Sequence, residues 1–77
     1  MTVSIDALKP GDRARISGLA PGDRGYRQRL LAMGLTPGVE FAVRRRAPLG
    51  DPIEISVRNF TLTLRKNEAA ILVLERV

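Results

Sequence analysis

The stretch Arg29-Leu30-Leu31-Ala32-Met33-Gly34-Leu35-Thr36-Pro37-Gly38 constrains the fold of this chain more than any other, because it closes a helix and opens a strand within a few residues. Arg29 to Met33 are good helix formers. Gly34 stands where a helix takes a left-handed terminal residue, and Leu35 is placed to fold back onto the last turn. Pro37-Gly38 sets a turn. Val39-Glu40-Phe41-Ala42-Val43 then alternates like a half-buried strand, with Val39, Phe41 and Val43 facing one way.

The rest of the chain repeats this punctuation. Leu-x-Pro-Gly occurs at Leu8 to Gly11, Leu19 to Gly22 and Leu35 to Gly38. The unequal spacing excludes a solenoid period; the motif is a turn in which Pro fixes φ and Gly supplies positive φ. Ser4 to Leu8 reads as one helical turn with Ser4 as N-cap. Arg13 to Leu19 reads as a strand with Ala14 and Ile16 on one face. Asp23 is placed to cap a helix whose inner face carries Tyr26, Leu30 and Met33. Ala47 to Pro52 is a loop with two prolines. Ile53, Ile55 and Val57 alternate in a strand, Asn59 suits a tight turn, and Leu62 and Leu64 alternate in the strand after it. Lys66 to Ala70 reads as a short helical turn. Ile71 to Leu74 is apolar on both faces, which suits a last strand covered on both sides or one that meets a partner. The sum is a mainly β domain of about five short strands, one inserted α-helix and short helical turns. Such strands, bent at Gly and Pro, close into a small barrel, SH3-like first and OB-type second.

Composition narrows the chemistry. With 77 residues the chain is one small domain. It has no Cys and no His, so the thiol nucleophile, the usual general base and the commonest metal ligands are absent. No nucleophile and base can be named together, which excludes an enzyme reading. Asp51, Glu54 and Glu68 are hard oxygen donors, but their spacing fits no calcium loop and they read as solvated charges at strand ends. No metal, cofactor or catalytic residue is expected. No window is long and apolar enough to span a membrane, and the N-terminus lacks the pattern of a signal peptide. The expectation is a soluble protein that stays in the compartment where it is made.

Net charge is +5, and eleven of the 13 basic residues are Arg. Arg44-Arg45-Arg46 is the sharpest run; Arg24, Arg27 and Arg29 form a second cluster on the helix. Both suit an anionic partner, nucleic acid or an acidic protein face, or simply a solvated surface. The only aromatic residues are Tyr26, Phe41 and Phe60, two of which read as core, whereas single-strand binders expose stacking aromatics. Leu31 lies off the apolar helix stripe and Leu49 sits in the proline-stiffened loop. Each is either a partner contact or a filler of the barrel's ends.

Taken in order, Leu8-Lys9-Pro10-Gly11, Arg29 to Gly38, Ala47 to Ile55 and Val57 to Ala69 resemble the FeoA family, ferrous iron transport protein A. One departure is Asn59, where the family often has Gly; Asn tolerates the same backbone. The resemblance implies an SH3-like barrel with helical additions. It also implies a small cytoplasmic accessory of FeoB, the inner-membrane ferrous iron transporter with a cytoplasmic G-protein domain, peripheral at that membrane through its partner. The same domain type forms the C-terminal module of iron- and manganese-dependent repressors, but the chain is too short to hold their winged-helix DNA reader, which points to the transport role. Lacking His and Cys, it is expected to act by contact rather than by holding Fe(II). The contact surface expected is Arg24 to Leu31 with Leu49 to Asp51, chiefly Arg24, Arg27, Arg29, Leu31, Leu49 and Asp51, with charge reversal at Arg27 and Arg29 leaving the fold intact. The rival expectations are a basic nucleic-acid-binding barrel, resting on the charge and on Arg44 to Arg46, and a homo-oligomer joined through Ile71 to Leu74.

Overall fold

Turn chemistry sets the element boundaries. The computed structural model describes residues 2–22, 24–49, 51–58 and 60–77. Its order is β1 (Thr2–Val3), a 3₁₀ turn (Ile5–Ala7), β2 (Arg13–Leu19), α1 (Arg24–Ala32), β3 (Glu40–Arg46), β4 (Ile53–Val57), β5 (Phe60–Leu64), α2 (Lys66–Ala69) and β6 (Leu72–Arg76). The Ser4 hydroxyl accepts from the Asp6 N–H and caps the 3₁₀ turn as expected. At the end of α1, Gly34 has φ +92. The Leu35 N–H donates to Leu30 O and the Gly34 N–H to Leu31 O, both at 3.0 Å. This pair of bonds is the Schellman closure, and its accompanying apolar contact is present because Leu30 and Leu35 are both fully buried.

All neighbouring strands are antiparallel, in the order β1-β6-β2-β3-β4-β5. A flat sheet layer is only about 10 Å thick, whereas the molecule measures 27 × 25 × 24 Å, so the sheet curls round its own inner face as a small barrel. Two irregularities help it bend, one between Ile16 and Gly18 and one between Val43 and Arg45. At the first, the Ser17 hydroxyl donates to Val73 O at 3.1 Å, tying β2 to β6 at the break.

The inner face holds the alternating residues the sequence picks out in four strands, Ala14 and Ile16, Phe41 and Val43, Ile53, Ile55 and Val57, and Leu64; from β6, read as apolar on both faces, it takes Leu72 and Leu74. Leu30 and Leu35 close one end, and Val39, Met33 and Leu62 pack against the cluster. Each fully buried Leu, Ile or Phe contributes about 1.5–3 kcal/mol relative to exposure.

Four expectations change. Among the described residues there are six strands rather than about five, because Thr2–Val3 pairs with Leu74 and Glu75 of β6 and is too short to show a period. Tyr26 is 37% exposed, so the inner face of α1 rests on Leu30. Of the aromatics only Phe41 is core; Phe60 is 44% exposed and lies beside Gly34. Glu68 is buried at 2%, not a solvated charge. The readings placed on Asp23, Gly50 and Asn59 lie outside the described residues. At the same hairpin, Arg58 takes φ +49 where Val57 and Phe60 pair across the turn.

Charged side chains fasten the ends. Arg46 donates to the carbonyls of Ile5, at 3.0 Å, and Leu8, and lies 3.5 Å from Asp6. A guanidinium thus bridges the first residue of the 3₁₀ turn and its C-cap. Asp12 accepts from the Lys9 N–H at 2.9 Å and from Arg76 at 3.1 Å. The Lys9 N–H, and after it Arg76, hold the Asp12 carboxyl below the usual carboxylate range. Its folded value being the lower one, the contribution is present above the unfolded value and is lost as pH falls through the folded one. The unfolded value is about 3.9. Denaturant midpoints followed from neutral pH into the acid range should therefore fall less steeply for Asp12→Asn, whose amide oxygen still accepts from Lys9 but does not titrate. An unchanged acid slope would remove Asp12 from the account.

Candidate partner-binding site

Helical periodicity sorts α1 into faces. Arg24, Arg27 and Leu31 recur at i, i+3 and i+7, so they share one stripe. That stripe runs beside buried Leu30 and faces away from half-buried Met33. Leu31 is 38% exposed. Neither Arg24 nor Arg27 makes an ion pair with a described residue. The stripe is therefore a solvent-facing line of two guanidinium groups and one apolar side chain. Leu49, 93% exposed in the loop between β3 and β4, fills no barrel end.

Arg29 differs from its neighbours. It sits on the flank of α1 turned toward α2, and its Nε lies 3.2 Å from Oε2 of Glu68. The Arg29 side chain is 65% exposed while that of Glu68 is 3% exposed. Glu68 Oε1 accepts from the Arg65 N–H at 3.2 Å, serving one free donor at the start of α2. Oε2 completes no hydrogen bond with a described residue, so the Arg29 N–H is near it without pointing at it. Arg29 is thus the counter-charge of a buried carboxylate, and charge reversal there disturbs the fold as well as any contact surface. This corrects the expectation that Arg27 and Arg29 are equivalent probes.

A cleft of about 300 Å³ opens where these groups meet, lined by Arg29, Asp51, Pro52, Thr63, Arg65 and Glu68. It brings together two expected residues, Arg29 and Asp51, that are far apart in sequence. Asp51 has a structural task as well: its Oδ1 accepts from the Lys66 N–H at 3.0 Å and so caps α2 from the preceding loop. Arg24, Arg27, Leu31 and Leu49 do not line this cleft. Thr63, Arg65 and Glu68 escape a reading of the sequence. The one available signal was a Glu three residues after the start of a short helical turn. A second cleft, of about 390 Å³, lies over β3 and β4 and contains none of the expected residues.

The Arg44-Arg45-Arg46 run is largely engaged within the chain. Arg44 reaches Thr61 at 3.3 Å and Glu54 at 3.9 Å, and Arg46 holds the 3₁₀ turn. Among the described residues, only Arg45 of the three makes no such contact. The run is thus partly committed within the fold, although the Arg44 side chain stays 57% exposed. The last strand lies between β1 and β2: β2 pairs with it from Leu72 to Arg76, and the two residues of β1 pair with Leu74 and Glu75 on its other side. No helix among the described residues is long and apolar enough to cross a membrane.

Comparison with known proteins agrees with this architecture. The profile of the FeoA domain matches residues 3–76. A Porphyromonas gingivalis protein, the Fe(2+) transport protein A/Fe(2+) transporter FeoB fusion protein, is 32% identical over 73 residues. That match takes in 95% of this chain but only 8% of the much longer fusion protein. The solution structure of the FeoA protein from Chlorobium tepidum superposes with a TM-score of 0.85 at 39% identity, over 97% of this chain and 70% of that one. The crystal structure of an iron uptake regulatory protein (FeoA) superposes with a TM-score of 0.84 at 31% identity over the whole of both chains.

Proposed function

The chain belongs to the FeoA family, whose members are associated with ferrous iron transport, and on that premise we propose that it is a cytoplasmic accessory protein that acts by touching a FeoB-type transporter. The observation that carries this reading is the Porphyromonas gingivalis relative, in which an FeoA part and an FeoB part share one chain. Tethering raises the concentration of one module around the other, which benefits modules that meet. The protein would lie at the inner membrane through its partner.

The outward stripe of α1 is the first contact surface to test. Arg24 and Arg27 offer two guanidinium groups that no ion pair within the described fold engages, and Leu31, one turn beyond Arg27, offers an apolar anchor. Leu49, on its separate loop, offers a second anchor. Arginine fringing an exposed apolar residue is the composition that interfaces favour. The expected partner surface is acidic.

The double variant Arg24→Glu/Arg27→Glu should unfold within about 0.5 kcal/mol of wild type, as surface substitutions do, while losing most of its co-purification with the transporter from solubilised membranes. Retention equal to wild type at moderate salt would exclude this face.

A further inference from the structure

We propose that the cleft between α1, β5 and α2 is a subsite for a carboxylate side chain of the protein partner, gripped by Arg29 and Arg65, and that buried Glu68 is the residue that positions Arg29 for it. This deepens the contact reading above and rests on it.

Three observations converge on the cleft. First, Arg29 lies beside Glu68 as an ion pair, its Nε 3.2 Å from Oε2, and its terminal nitrogens hydrogen-bond to no described residue. The outer edge of a guanidinium is the edge that grips a carboxylate with two parallel bonds. Second, Arg65 lines the same cleft and its side chain joins no ion pair among the described residues. Third, both acids of the cleft are already compensated. Glu68 has the Arg65 N–H and Arg29, and Asp51 has the Lys66 N–H. An incoming carboxylate therefore meets one uncommitted guanidinium and the free edge of another, with the Thr63 hydroxyl beside them.

The state of Glu68 shows why the acid is there. A carboxylate 3% exposed, with one oxygen that completes no hydrogen bond, is a poor device for stability. The helix-starting bond it makes to the Arg65 N–H needs only a carbonyl oxygen, which Gln supplies as well. What Gln does not supply is the charge that keeps a long, exposed Arg side chain over the cleft. Fixing that side chain before the partner arrives removes an ordering cost from association. Glu68 acts on the partner only through Arg29, so it is a positioning residue.

Glu68→Gln separates the two roles. A purely structural Glu68 makes this variant less stable and leaves binding by the folded protein unchanged. A positioning Glu68 leaves the unfolding midpoint equal or higher and weakens binding. The probe is a capped tetraglutamate peptide titrated into the full chain, read by the side-chain Nε–H NMR signals of Arg29 and Arg65. Wild type should show saturable shifts of both signals, and Glu68→Gln should bind about fivefold more weakly, the cost of ordering one long side chain. Unmoved Arg29 and Arg65 signals, equal binding by the variant, or tighter binding of inorganic phosphate than of the peptide would each overturn the carboxylate assignment. The same pair of proteins titrated against the solubilised transporter separates the two readings. Peptide binding without transporter binding overturns the transport contact and leaves the cleft standing. Transporter binding that Glu68→Gln does not weaken overturns the cleft and leaves the contact.

Discussion

Phe41→Ala should cost about 3–5 kcal/mol of unfolding free energy. A folded domain of this size has on the order of 0.05–0.15 kcal/mol per residue to lose, so the variant should be left marginal or unfolded. Phe41 is 1% exposed on the inner face of β3, where it is paired with Ala14 of β2. The small partner leaves room for the ring, and that room becomes a cavity when the ring is removed. Collapse is limited because β3 is held on both sides, by β2 and β4. Phe41→Leu keeps most of the volume and should cost less than about 1.5 kcal/mol. Phe60→Ala, at a ring 44% exposed, should cost far less than Phe41→Ala. Denaturant midpoints of the three variants check this ordering. If Phe60→Ala proves as costly as Phe41→Ala, the core is wrongly placed.

The second large effect is expected at Arg29. Arg29→Glu removes the counter-charge of buried Glu68 and sets a like charge beside it. Breaking a fully buried pair from one side costs about 3–5 kcal/mol; with Arg29 mostly exposed to solvent, about 2 kcal/mol is expected here. Arg27→Glu, two positions earlier, should change stability by less than about 0.5 kcal/mol. Unfolding curves of both variants at neutral pH test the contrast. An Arg29→Glu protein as stable as Arg27→Glu at neutral pH would mean that the ion pair does not form.

What was legible in the sequence is what local chemistry decides. The stop after Met33 needs only Gly34, Leu35 and the turn before them, and it closes as read. The inward residues of β2, β3 and β4 follow from a period of two, which a one-residue slip would invert. The FeoA resemblance of the ordered turns led to the family that the domain profile and the superposed structures support. Burial that depends on distant elements was not legible. Tyr26 has the right spacing for the core, but the helix turns Leu30 inward and leaves Tyr26 at the margin. Glu68 reads as a surface charge because nothing near it in sequence announces that Arg29 of α1 covers it. Arg46 reads as part of a basic run because its carbonyl partners, Ile5 and Leu8, are remote in the chain. Of the expected contact residues, Arg29 and Asp51 meet in one cleft, and both also serve the fold. Arg24, Arg27, Leu31 and Leu49 remain the exposed candidates.

Contact with the transporter can be measured by direct titration of the labelled chain with a purified FeoB-type transporter from the same organism. Binding should be saturable, should weaken as salt rises and should be lost in Arg24→Glu/Arg27→Glu. A folded wild-type chain that shows no saturable binding to the intact transporter, with or without guanine nucleotide, would contradict that contact.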